Sequence, residues 1–285
     1  MAFVAVIGSG PLGGALVQKL ALRDRIPEIR LIDPHPGVAQ GKALDILQSS
    51  PVAGFAARIE AAQSLHSAAG AGAIVIADAG ASGIEHTDET GLAMMRQIAA
   101  VESAAPLVFA GATQRDLIAR TVAELHVPRS RVAGTSPGAL ESALRALAGL
   151  AMDASGVDVQ LNVVGTPPRG MVVGWEEATA SGMPLRTQLA PHIMAALTAR
   201  IPNLWPPGPY ALASAAARVV EGIVNGSRRR FSCLVSIDAG PSRNSVVAMP
   251  VEVGPLGIER VLEPALTRQE RTQMENAIGN VERPR

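Results

Sequence analysis

Residues 4–14 read Val-Ala-Val-Ile-Gly-Ser-Gly-Pro-Leu-Gly-Gly. Four apolar residues, two of them valine and one isoleucine, predict a short buried strand. The glycines at 8, 10 and 13 have the spacing Gly-x-Gly-x-x-Gly, and Leu12 to Leu22 has helical character. A strand, a glycine turn and a helix in that order place the helix N-terminus over the turn, where its N–H groups face an anion. Gly8 would permit the tight turn, Gly10 the approach of a pyrophosphate, and Gly13 close packing of helix on strand. Ser9, Pro11 and Leu12 complete the candidate phosphate loop. Pro11 contributes no N–H but suits the first helical position.

Some 20 residues further on, Leu31-Ile32-Asp33 ends a second strand. A carboxylate there can accept both ribose hydroxyls and repels a 2′-phosphate, so Asp33 favours NAD over NADP. Asp78, expected at the end of a fourth strand, would instead bring negative charge toward the phosphates.

The pattern around this turn repeats. Ile29–Ile32, Ala73–Ala77 and Leu107–Ala110 read as strands. The segments 88–104 and 116–125 read as helices. Such alternation predicts a Rossmann-type doubly wound parallel sheet, assigned to residues 1–135. Residues 136–285 change character. A helix over 139–148 is followed by a strand over 157–164 and a helix over Ala213–Val224. Three apolar runs, Phe231–Ile237, Val246–Val253 and Ile258–Val261, form an antiparallel meander, and a helix over Thr267–Ile278 closes the chain. This second part is expected to be a mixed α+β substrate-type domain.

Bulk composition excludes several classes. The 285 residues carry 25 basic and 25 acidic side chains, so no global field favours nucleic acid or an anionic membrane. No apolar run is long enough to span a bilayer. The one basic cluster, Arg228-Arg229-Arg230, follows a helix and suits dipole compensation. The single cysteine, Cys233, excludes an internal disulfide and is expected to be a buried, inert thiol. No pair of histidines has metal-ligand spacing, and no metal is expected. The N-terminal segment lacks a secretory pattern, so a cytoplasmic protein is expected.

Five stretches together resemble the lactate/malate dehydrogenase family along nearly the whole chain. They are VIGSGPLGG (6–14), LIDPHPGVAQGKALDI (31–46), GALESALR (138–145), VVGTPPRGMVVGW (163–175) and MPVEVGPLGIERV (249–261). The resemblance implies NAD-dependent hydride transfer to or from a 2-hydroxy acid, in a homodimer or homotetramer. It also implies a histidine that takes the hydroxyl proton, an acid that orients it, an arginine that grips the substrate carboxylate, and a second arginine on a mobile loop.

The family's positions are filled differently here. Its histidine falls on Pro167. Its acid falls on Glu141, one carbon longer than the usual aspartate. Its carboxylate-binding arginine falls on Leu144, and its Asn-Pro turn on about Gly111-Ala112. The mobile-loop region, Ala79 to Gly91, is shortened and holds no arginine before Arg96. Arg145 is placed for an i,i+4 pair with Glu141 rather than for substrate. Arg169 is a turn residue that could meet an anion. His35 could contact an adenine or cap a loop, and His86 is a conceivable replacement acid/base. Losing the proton acceptor alone costs roughly 10²–10⁴-fold. The expected function is an NAD(H)-binding, dehydrogenase-like protein inactive in the family's standard reaction. The alternatives are a divergent NAD-dependent oxidoreductase and a structural oligomer partner without ligand.

Overall fold

The computed structural model describes residues 3–239 and 242–280. Its first part alternates strand and helix: β1 (Val4–Ile7), α1 (Pro11–Arg23), β2 (Glu28–Ile32), α2 (Pro36–Ala53), β3 (Arg58–Ala62), β4 (Ala73–Ile76), α3 (Asp88–Val101), β5 (Leu107–Phe109), α4 (Arg115–Ala123) and β6 (Val132–Gly134). These six strands pair in parallel in the order β3-β2-β1-β4-β5-β6. β1, β4 and β5 are buried along their whole length, as expected of parallel strands covered by helices on both faces.

The second part begins with α5 (Ser136–Ala151). There follow β7 (Val159–Thr166), β8 (Gly170–Ala180), β9 (Met183–Pro184), α6 (Leu185–Gln188), α7 (Pro191–Ala199) and α8 (Pro209–Val224). The chain closes with β10 (Arg230–Ala239), β11 (Ser242–Gly254), β12 (Gly257–Val261) and α9 (Arg268–Asn280). β10, β11 and β12 form the expected antiparallel meander. The three-residue turn Pro167-Pro168-Arg169 joins β7 to β8 as a hairpin, with Thr166 opposite Gly170.

The division at 135/136 falls between β6 and α5, but the sheet does not stop there. Leu234 of β10 pairs with Gly134 of β6, which joins the twelve strands of the described residues into one sheet. The apolar layers also cross the division. Ile7, Ile76 and Phe109 share one layer with Leu140, Leu144 and Val163. Leu16, Val17 and Val75 share the other with Ala213, Ala217 and Val220. In α1 the buried positions Leu12, Leu16, Val17, Leu20 and Ala21 make one helical face. At its far end Arg23 Nη2 donates to Glu221 Oε2 of α8 at 2.7 Å, tying the two helices together.

Among the described residues no helix is long and apolar enough to cross a membrane. Cys233 is fully buried, and burial followed by the nearby Glu141 charge pushes its thiol up to about 12, so it is no nucleophile at neutral pH.

Candidate functional site

The turn between β1 and α1 has the predicted shape. Gly8 adopts φ +101°, in the region that favours glycine, and a Cβ on Gly13 would collide with the Gly8 carbonyl. Its donors, however, are engaged from within the chain. Gly8 N–H donates to Ile32 O at 2.8 Å, Ser9 N–H to Asp33 Oδ2 at 2.8 Å, and Gly10 N–H to Asp78 O at 3.0 Å. Pro11 has no N–H, and Gly14 N–H bonds Gly10 O at 2.9 Å. The two remaining helical donors, Leu12 and Gly13, both go to the Asp78 carboxylate, at 2.9 and 2.8 Å. A carboxylate at a helix N-terminus gains from the dipole as a phosphate would. Asp78 is 3% exposed. Gly10 admits that carboxylate, since a Cβ there would strike the Asp78 side chain.

Asp33 lies at the end of β2 with no exposed surface. Its Oδ2 accepts from Ser9 and also from Gly80 N–H at 2.8 Å, and its Oδ1 from His35 N–H at 2.9 Å. Burial alone would raise its pKa, but the N–H groups of His35, Ser9 and Gly80 outweigh that and hold it below the ordinary value. His35 stands at the N-cap of α2, and its Nδ1 is 3.4 Å from Asp33 Oδ1. Lys42, which no sequence motif marks, reaches back from α2 to donate to Gly10 O at 2.8 Å.

The segment 79–87 lies across the crevice. Ala79 N–H donates to Ile84 O at 2.9 Å, Gly83 N–H to Ala79 O at 2.7 Å, and Asp78 bridges Glu85 in antiparallel fashion. A Cβ on Gly83 would lie 3.2 Å from Pro11 Cδ, so this segment comes close to the phosphate turn. At its other end Glu85 caps the approach to α4. Its carboxylate accepts from Ala112 N–H at 2.8 Å, Thr113 N–H at 2.7 Å and Thr113 Oγ1 at 2.6 Å. Gln114 completes the closure, accepting from Gly111 N–H at 2.9 Å and donating to Ala77 O at 3.2 Å. The Gly111-Ala112 turn is thus held by Glu85 and Gln114. Neither residue was singled out from the sequence. Only the fold brings Glu85 to a turn 27 residues away.

His86 belongs to the same segment. Its Nε2 is buried without a hydrogen-bond partner among the described residues. Burial pushes its pKa down, against the pull of Asp33 and Asp78, so the ring is neutral at neutral pH. The other expected catalytic positions lie in the second part of the chain. Pro167 is buried at the end of β7. Leu144 is 0% exposed in the core. Glu141 accepts from Ser232 Oγ at 2.7 Å, and Arg145 Nη1 is 3.6 Å from it, the spacing expected of an i,i+4 pair. Burial raises the Glu141 carboxyl above its ordinary range despite Ser232 and Arg145. No group of three or more potential metal ligands occurs among the described residues.

A glycine turn that opens α1, an acid ending β2 and a 3-2-1-4-5-6 parallel sheet define a Rossmann-type protein whose sheet runs on into a mixed α+β part. No family model matches the chain. It is 29% identical to the malate dehydrogenase of Roseobacter denitrificans, over 98% of this chain and 94% of that protein. The malate dehydrogenase structure from Salinibacter ruber superposes with a TM-score of 0.86 at 22% identity, covering 98% of this chain and 95% of that one. The malate dehydrogenase of Plasmodium falciparum in complex with NADH gives 0.85 at 19%, covering 99% and 96%. Over nearly its whole length the chain is similar in sequence to malate dehydrogenases and shares the fold of malate and lactate dehydrogenases.

The residue types of the turn fit a dinucleotide, as Gly8, Gly10, Gly13 and Asp33 show, but the arrangement leaves it no free donor. A pyrophosphate here would compete with Asp78 for the N–H groups of Leu12 and Gly13.

Proposed function

We propose that this chain is a dehydrogenase-fold protein that takes NAD(H) in its nucleotide crevice without carrying out the 2-hydroxy-acid hydride transfer of its relatives. One observation carries the second half of that statement. The strand end where the reaction needs an imidazole holds buried Pro167, a side chain with no proton to give or take. The neighbouring positions support it. Leu144 lies in the apolar core rather than offering a guanidinium, and Glu141 is spent on Ser232 and Arg145. Binding of the dinucleotide requires Asp78 and the 79–87 segment to withdraw. A cytoplasmic setting and a homodimer or homotetramer follow from the same family reading, and light scattering in solution tests the assembly.

A second reading is favoured by Asp78 itself. If its carboxylate is a permanent substitute for the phosphate, the crevice holds no ligand and the protein serves as a scaffold. Calorimetric titration with NADH separates the two readings, since saturable binding supports the first and its absence at millimolar NADH the second. Turnover of oxaloacetate, pyruvate or other 2-oxo acids with NADH above about 1 s⁻¹ would overturn both. In that case His86, beside Asp33 and Asp78, is the residue to replace first.

A further inference from the structure

A cavity of about 720 Å³ opens beside the β7–β8 turn, away from the nucleotide turn. It is lined by Arg115 at the start of α4, by residues 166–172, and by Gln273, Asn276 and Ala277 of α9. Its polar lining is all donors or neutral groups: two guanidiniums, two carboxamides and one hydroxyl. No acidic residue lines it.

Three features mark it as built for an anion. Arg169 is exposed and has no hydrogen-bond or ion-pair partner among the described residues. Arg115 stands in the first turn of α4, where a cation opposes the helix dipole. It is partly buried and donates from Nε to Val246 O at 3.2 Å, and among the described residues no carboxylate pairs with it directly. Burial lowers its pKa, against the pull of its chain neighbour Asp116, the sign of an incompletely compensated cation. The third feature is independent of both. Thr166 is 4% exposed, and its Oγ1 has no hydrogen-bond partner, although buried hydroxyls are ordinarily satisfied.

We infer that this cavity is a binding site for a small oxyanion, a carboxylate or a phosphate, gripped by the guanidiniums of Arg115 and Arg169. Planar N–H forks match both oxyanions, and two guanidiniums from separate elements can hold a group between them. Thr166, Gln273 and Asn276 supply neutral hydrogen bonds at the walls. Pro167, at the family's histidine position, lines this cavity, but the guanidiniums differ from the family's: its carboxylate-binding arginine falls on buried Leu144, whereas these come from Arg115 and Arg169. The inference holds whether or not the nucleotide crevice takes a dinucleotide.

The test is calorimetric titration of the full chain, without NAD(H), by inorganic phosphate, malonate and acetate in separate arms. Trp175 fluorescence gives a second readout, because its backbone N–H meets Glu270 of α9 at 3.3 Å, one turn before Gln273. Saturable binding of phosphate or malonate is expected, weakened about tenfold or more by Arg169→Ala. Arg169 is exposed, so this variant should keep the fold, which circular dichroism checks. Arg115→Lys, which keeps the charge and removes the fork, should weaken binding as well. Tighter phosphate points to phosphorylated ligands, and tighter malonate to organic acids. No saturable signal in any arm, or binding indifferent to both substitutions, would overturn the site.

Discussion

The Asp78 carboxylate accepts the N–H of Gly13 at 2.8 Å and so holds the mouth of α1 as a bound phosphate would. With Leu12 at 2.9 Å the grip is two-pronged, and the carboxylate is buried. Asp78→Ala should therefore act in two directions. Stability should fall by about 1–2 kcal/mol, as on loss of a helix cap. NADH affinity should rise about tenfold or more, because the competitor for the same donors and its repulsive charge are gone. Urea denaturation and calorimetry read the two effects separately. Unchanged or weaker NADH affinity in a folded variant would show that Asp78 is not what bars the phosphates.

Gly10 and Asp78 form a coupled pair. A methyl group on Gly10 would meet the Asp78 carboxylate, so Gly10→Ala should destabilise the wild-type background by about 1–3 kcal/mol. In the Asp78→Ala background the obstacle is absent and most of that loss should vanish. Additive losses in this double-mutant cycle would mean that Gly10 serves some other contact.

Stability should decline on mild acidification through His86. Its folded pKa lies below the ordinary 6.5, because burial penalises the charged ring. Between those two values the unfolded chain binds more protons, so stability rises with pH across the window. It is fully present above about pH 6.5 and is lost as pH falls toward the folded pKa. Asp33 has the same sign in a lower window, below the ordinary carboxylate value. His86→Gln should flatten the upper part of the profile, seen as a smaller loss of unfolding free energy between pH 7.5 and 5.5. An unaltered profile would remove His86 from the account.

Much of the architecture was legible because apolar periodicity and glycine spacing are local signals. β1, β4 and β5 are short, wholly apolar runs, and the meander β10–β12 is punctuated by Gly and Pro. The helix α2 is not legible in the sequence, since its buried face is only Ala39, Ala43 and Ile46 and it contains Gly37, Gly41 and Pro51. β8 carries part of the motif at 163–175, but its full eleven residues do not read as a strand because its second half is partly exposed. At the site, the substitutions at Pro167 and Leu144 could be read by position. The closing contacts could not. Asp78 is legible for its charge, but its grip on Leu12 and Gly13 joins a helix start to a strand end 66 residues away, and Glu85 meets Thr113 only through tertiary folding. Arg115 likewise gained meaning only when α4, the β7–β8 turn and α9 were seen to share a cavity.

Rebuilding the family's substrate grip should fail for a structural reason. Leu144 is 0% exposed and packs in the layer that contains Ile76, Phe109 and Val163. Leu144→Arg would bury a charge, and the nearest acid on its helix, Glu141, already answers to Arg145 and Ser232. A loss of about 3–5 kcal/mol is expected, enough to unfold a marginal domain. Pro167→His alone should fold better but give no turnover of oxaloacetate or pyruvate, since buried Leu144 leaves no guanidinium at the position from which the family orients the substrate carboxylate against the imidazole. Glu141→Gln supplies the contrast. Burial holds that carboxyl above its ordinary pKa, so the folded state binds more protons and stability falls as pH rises through the interval between the two values. The neutral amide should therefore be as stable as wild type, or more so, at pH 7. Thermal unfolding of the three variants orders them, with Leu144→Arg lowest. If Leu144→Arg instead melted like wild type and, combined with Pro167→His, reduced oxaloacetate, position 144 would have room for the guanidinium and the core packing described here would be wrong.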